Sequence, residues 1–126
     1  MNKKWLLIFI LVSLVALVYW SVYVQRYAPR SHIVIITHYH LDKIMHALGG
    51  AVIAASLALI MGPRRFISLI LAVLVISFFW EAAEFSFDKL TQEFYRKSTQ
   101  LWIKDTVGDA LFAVIGALVA TRFIKK

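Results

Sequence analysis

Residues 41–87 read LDKIMHALGGAVIAASLALIMGPRRFISLILAVLVISFFWEAAEFSF. Two apolar runs, each long enough to cross about 30 Å of hydrocarbon as an α-helix, are separated by only Gly62-Pro63-Arg64-Arg65. Glycine followed by proline terminates a helix, and so short a connection permits little besides a tight reversal. The stretch therefore predicts two antiparallel spans, 41–61 and 65–87. In lipid no water is present to satisfy exposed backbone groups, so a lone apolar segment that spans does so as a helix.

The same pattern continues on either side. Trp5 to Val24 is a nearly uninterrupted apolar run after Lys3 and Lys4, with Tyr19, Trp20, Tyr23 and Tyr27 gathered at its far end. Aromatic rings of this kind settle at the headgroup level. The run is longer than a signal-peptide core and no small-x-small cleavage site follows it, so it reads as an uncleaved anchor. A fourth span, Lys104 to Ile124, ends at Lys125-Lys126. The 126 residues are 61% hydrophobic, with a mean hydropathy of +0.76, above what a soluble domain of this size carries. The expectation is an all-α integral membrane four-helix bundle with short interfacial segments, one transmembrane domain over residues 1–126. Ala47, Ala51, Ala54, Ala55 and Ala58 on the second span, and Ala113, Gly116, Ala117 and Ala120 on the fourth, allow close helix approach.

The charge pattern excludes several function classes. The net charge of +7 comes from lysines and arginines flanking spans, where they set topology and meet anionic lipid. No basic stripe with interleaved aromatics lies outside the spans, so the expected partners are membrane lipids and not nucleic acid. The absence of cysteine removes disulfides, thiolate metal sites and a cysteine nucleophile. An even number of spans places both termini on one side with the Gly62–Arg65 turn. That side then carries Lys3, Lys4, Arg64, Arg65, Arg122, Lys125 and Lys126, in short segments, and no acid. Seven basic residues also lie on the other side, but in longer segments: Arg26, Arg30, Lys43, Lys89, Arg96, Lys97 and Lys104. The positive-inside bias acts through short loops, so the termini are expected in the cytoplasm of a bacterial cell, with the chain multi-pass in its cytoplasmic (inner) membrane.

All seven acids and all four histidines fall in the half away from the termini. Asp42 and His46 are four apart at the start of the second span, Glu81 and Glu84 three apart near the end of the third, and Asp105 and Asp109 four apart at the start of the fourth. These spacings put each pair on one helix face. Glu81 stands six residues before Phe87, roughly 9 Å inward at the helical rise, where ionisable groups face a bundle interior or a wet cavity. Structural roles compete with functional ones: Asp42 and Asp105 suit helix N-caps, Asp109 could bridge to His46 or Lys104, and His46 could bond between helices. Six such groups at one level of three helices nevertheless point to a site.

Three chemistries fit it. Asp42, His46, Glu81, Asp105 and Asp109 offer oxygen ligands and one imidazole to a divalent cation such as Mg²⁺, Mn²⁺ or Zn²⁺. Close carboxylates can share a proton for acid–base work, which makes Glu81, Glu84 and His46 the candidate catalytic groups. The mouth could instead hold a cationic or hydroxylated headgroup. Arg96, with Lys97, could contact a phosphate, and Arg96 and Asp109 are the candidate substrate contacts. Residues 25–40, with His32, His38 and His40, could form a lid, and Phe87, Leu90 and Phe94 recur at helical spacing as in a short interfacial helix.

The run Leu41-Asp42-Lys43-Ile44-Met45-His46-Ala47-Leu48-Gly49-Gly50 resembles the Asp-Lys-x-x-His signature of VanZ-like membrane proteins, which carry it at the start of a span. Glu81 near the end of the next span, then Arg96, Ser98, Asp105, Gly108, Asp109 and Gly116, extend the resemblance over residues 41–120. VanZ-like proteins commonly have glutamine where Glu84 stands and often asparagine where Asp109 stands. These departures also resemble a related, uncharacterised group of bacterial inner-membrane proteins that pair two acids in the last span. The resemblance implies a multi-span bundle and, for VanZ itself, low-level teicoplanin resistance, but no settled biochemical activity. The functional expectation is a polar pocket at the non-cytoplasmic face that binds or acts on a lipid-linked or cell-envelope molecule. The alternative is a non-catalytic cation- or headgroup-binding, transport or membrane-assembly protein. Whether the protein is an enzyme, and its oligomeric state, stay open.

Overall fold

The computed structural model describes residues 3–27, 41–62, 65–87, 92, 96 and 98–124, with backbone alone at 24–27 and 87. They form four helices: α1, Lys3–Tyr27; α2, Leu41–Met61; α3, Phe66–Phe87; and α4, Thr99–Ile124. Each is long and apolar enough to cross a membrane, and no strand occurs among the described residues.

Helix ends follow local chemistry more closely than hydropathy does. The α4 helix begins five residues before the hydropathic boundary at Lys104. Ser98 starts it: its Oγ accepts from the Leu101 amide at 3.2 Å and its carbonyl accepts from the Trp102 amide at 3.3 Å. The charged Lys104-Asp105 marks a boundary in the sequence, but the apolar Leu101-Trp102-Ile103 before it continue the same helix. At the α2–α3 turn, Gly62 adopts φ +87° while its amide still donates to the Ala58 carbonyl at 3.0 Å. A side chain in that left-handed conformation costs about 1–2 kcal/mol, which explains glycine here. The Leu69 amide donates to the Arg65 carbonyl at 3.0 Å, opening α3.

The closest packing is between α2 and α4. A β-carbon added at Gly50 would lie 2.7 Å from Cα of Ala113, and one added at Gly116 would lie 2.9 Å from Cα of Ala47. The two backbones are in direct contact, which only the missing side chains permit. Below this crossing Ala54, Val73, Ala113 and Ala117 form a buried cluster with Ile53 and Ile70 against it. Leu6 and Ile10 of α1 join Val52 and Ala55 in a second cluster. Large side chains point outward instead: Ile60, Ile67, Val15 and Phe79 are all strongly exposed. With lipid as the solvent, large apolar groups on the outside and small ones within is the expected arrangement.

The contacts also set helix direction. Lys43 meets Asp109 near the starts of α2 and α4, and Ala54 meets Ala117 further along both, so these helices are parallel. Glu81 of α3 approaches His46 while the earlier Val73 packs with Ala54 and Ala117, so α3 is antiparallel to both. The starts of α2 and α4 and the end of α3 therefore share one end of the bundle.

Candidate functional site

At that end a lysine occupies the centre of the acidic cluster. Lys43 Nζ donates to Asp109 Oδ1 at 2.6 Å, to Asp42 Oδ2 at 3.2 Å and to Asp105 Oδ1. An ammonium has three protons to donate and no acceptor, so three carboxylates use its full capacity. Lys43 and Asp109 are both buried, whereas Asp42 and Asp105 are partly exposed. Gly108 makes room for the lysine stem: a β-carbon there would sit 3.3 Å from Lys43 Cε. A lysine in the first turn of a span ordinarily snorkels to the interface. This one turns inward because carboxylates from two helices meet it.

One turn deeper lies a second group. His46 Nε2 is 3.6 Å from Glu81 Oε1 and 3.6 Å from Asp109 Oδ1, both beyond hydrogen-bond length. The other oxygen of Glu81, Oε2, accepts from the Thr106 hydroxyl at 3.5 Å. Glu81 Oε1 and Asp42 Oδ1 are buried without a hydrogen-bond partner. Glu84, half-buried one turn further along α3, places a carboxylate oxygen within 4.8 Å of ligand atoms of His46 and Glu81. At the rim, the rings of Phe85 and Trp102 pack with centroids 5.0 Å apart. The Gln92 amide nitrogen donates to the carbonyls of Phe85 at 2.8 Å and Ser86 at 3.1 Å, covering the carboxyl end of α3.

All six clustered residues expected from the sequence are brought together, but in two compartments. Asp42, Asp105 and Asp109 surround Lys43; His46, Glu81 and Glu84 form the other group, and the His46–Asp109 approach joins them. Asp105 does not cap α4, since Ser98 does, and Asp109 pairs with Lys43 in place of Lys104. Arg96 is exposed between α3 and α4, and no ion pair or hydrogen bond among the described residues joins it to the cluster. The expected lid over 25–40 with His32, His38 and His40 lies outside the described residues. So do Leu90, Phe94 and Lys97 and the side chain of Phe87.

Sequence reasoning named Lys43 only in the charge count and the family resemblance and Gly108 only in the resemblance, gave neither a place in the site, and missed Thr106. Lys43 carried a signal, since it stands three residues before His46 and so shares its face. Thr106 and Gly108 follow only from knowing which side of α4 meets α2 and α3.

Chemically the compartments differ. The first is a closed ion cluster that ties the starts of α2 and α4 together. In the second, a buried carboxylate oxygen and an imidazole nitrogen face each other across a gap too wide for a hydrogen bond. Among the described residues, five carboxyl groups stand beside one ammonium and one imidazole, a formal excess of acid in a low-dielectric setting.

Four apolar helices, packed through small residues around an internal polar cluster at one end, define a polytopic α-helical membrane protein. The chain belongs to the family described as Predicted membrane protein (DUF2238), whose model matches residues 2–125. Comparison with curated proteins and with solved structures finds no match.

Proposed function

We propose that this protein binds or acts on a lipid-linked or cell-envelope molecule at the non-cytoplasmic face of the bacterial cytoplasmic membrane. The observation that carries the proposal is Glu81: 8% exposed, with one oxygen unpartnered and within 3.6 Å of His46. A bare carboxylate at membrane depth costs several kcal/mol by most estimates. A ligand that meets the unpartnered oxygen would offset that cost. The orientation also gains support. Once Lys43 is engaged internally, it no longer counts toward the basic charge of its side, and the even balance of lysines and arginines tips toward cytoplasmic termini.

In the enzymatic form, Glu81 or Glu84 acts as general base next to His46. In the non-catalytic form, the same groups hold a headgroup or cation without a reaction. Transport along the bundle is the weaker version, since beyond the cluster the spans offer only Ser13, Ser56, Ser68, Ser77 and Thr121, and the Thr121 hydroxyl is already bonded to the Leu118 carbonyl.

The test uses detergent-purified protein titrated separately with phosphatidylethanolamine, phosphatidylglycerol and a polyprenyl phosphate. At least one lipid should raise the melting temperature of the wild type by about 3 °C or more, equivalent to roughly 1 kcal/mol of linked binding. The same lipid should leave Glu81→Gln unchanged. Equal responses from wild type and variant for every lipid would overturn the proposal, and product formation from the active lipid separates the enzymatic form from the binding form.

A further inference from the structure

We infer that His46, Glu81 and Glu84 form a binding site for a single divalent transition-metal ion, of the Zn²⁺ or Mn²⁺ class, and that the Asp42–Asp105–Asp109 group does not. This deepens the function proposed above and rests on it only for the role of the ion, since the metal would be the means by which the pocket grips an envelope molecule.

The two acidic groups resemble each other in composition, with three potential ligand atoms within 4.8 Å of one another in each. Geometry separates them. The aspartate group already surrounds a cation, the Lys43 ammonium, with all three carboxylates turned to it. A metal ion there would have to displace a buried lysine that has no other carboxylate partner among the described residues. In the second group neither His46 nor Glu81 has a lysine or arginine partner among the described residues. Glu81 has a side chain only 9% exposed, and its unpartnered oxygen is the one that faces His46 Nε2.

The 3.6 Å gap between Glu81 Oε1 and His46 Nε2 is itself informative. It is too long for a hydrogen bond. It is close to the separation of two ligands on one tetrahedral ion, about 3.4 Å for metal–ligand bonds of roughly 2.0–2.1 Å. Thr106, by donating to Oε2, turns the lone pairs of Oε1 toward the imidazole. A hydrogen bond to the outer oxygen of a ligating carboxylate is the usual way its orientation is held. Thr106 is thus a positioning residue and not a ligand. One imidazole with two carboxylates favours Zn²⁺ or Mn²⁺ over Ca²⁺ and Mg²⁺, which favour oxygen throughout. Three protein ligands leave a coordination position open, to which a phosphate or carboxylate oxygen of a headgroup could bind.

The test is metal content by inductively coupled plasma mass spectrometry, on full-length protein purified in detergent through a tag without histidine. Protein stripped with a chelator is then titrated with Zn²⁺, Mn²⁺ and Co²⁺ by calorimetry. Wild type should bind about one ion per chain, His46→Ala and Glu84→Gln should bind at least about tenfold more weakly, and Thr106→Val should lose roughly 10-fold in affinity. Asp42→Asn should keep the ion. The Co²⁺ form should show visible absorption bands that shift in Glu84→Gln, a change that altered stability alone would not produce. Glu84 is only half-buried, so this variant keeps the test valid even if His46→Ala fails to fold. Wild type that binds none of the three ions, or folded variants that bind as tightly as wild type, would overturn the inference. Loss of the ion in folded Asp42→Asn would also overturn it, by moving the site to the Lys43 group. A lipid response in wild type that binds none of the three ions sinks the metal site and spares the proposed function; a bound metal with no lipid response does the reverse.

Discussion

Lys43→Met removes the ammonium shared by Asp42, Asp105 and Asp109 and keeps a flexible apolar stem of similar length. Removing one partner of a buried ion pair typically costs about 3–5 kcal/mol, because the charge left behind is uncompensated. Exposure decides where in that range this site falls. The Asp109 side chain is 4% exposed and can recover almost no hydration. Asp105 and Asp42, at 25% and 26%, can turn partly toward water. The loss should therefore be close to 3 kcal/mol, carried mainly by Asp109, or about 10 °C in melting temperature at roughly 3–5 °C per kcal/mol for a chain of this size. The assay is unfolding in mixed micelles, followed by tryptophan fluorescence; Trp102, packed on Phe85 at the rim, reports on this end of the bundle. The double variant Lys43→Met/Asp109→Leu removes both charges and should recover at least about half of the loss, since contacting residues are not additive. A single variant within about 1 kcal/mol of wild type would refute the assignment of Lys43 as the centre of the cluster. So would a double variant whose loss equals the sum of the two single losses.

Other outcomes follow from the same structure. Gly50→Ala should destabilise by more than about 2 kcal/mol, because its methyl meets the Ala113 backbone and the helices must separate. Gly49→Ala, with nothing within 4 Å of its β-carbon, should be neutral or gain up to about 1 kcal/mol of helix propensity, and equal effects at the two positions in the same unfolding assay would contradict the packing. Ser98→Ala should cost about 1 kcal/mol by loss of the α4 cap and should lower helical ellipticity slightly; an unchanged midpoint argues against that helix start. Reporter fusions after Gln92 and at the carboxyl terminus should place these points on opposite sides of the membrane, with Gln92 outside. A cytoplasmic Gln92 would reverse the proposed orientation.

The four helices were legible because lipid removes alternatives. A run such as Phe66 to Ser86 has nowhere to satisfy its backbone except within itself, so hydropathy alone finds it. The Gly62-Pro63 stop was legible for a local reason, the left-handed backbone that glycine tolerates. The start of α4 was not, because Lys104 and Asp105 interrupt the apolar run and the helix continues back through them to the Ser98 cap.

The polar cluster divides the same way. Spacing along each chain segment was enough to assign Asp42, His46, Glu81, Glu84, Asp105 and Asp109 to one level of the bundle, since helical periodicity is a local property. Spacing could not say which of them touch. Lys43 read as one more interfacial charge until α2 and α4 were brought backbone to backbone at Gly50 and Gly116, a contact that swings Asp105 and Asp109 around its ammonium. The same packing leaves Glu81 facing His46 with one oxygen unpartnered. Which residues lie at the buried end is thus a property of the sequence, dictated by hydropathy and helical period. Which carboxylates are spent on a lysine and which face an imidazole was decided only by how closely two helices could approach.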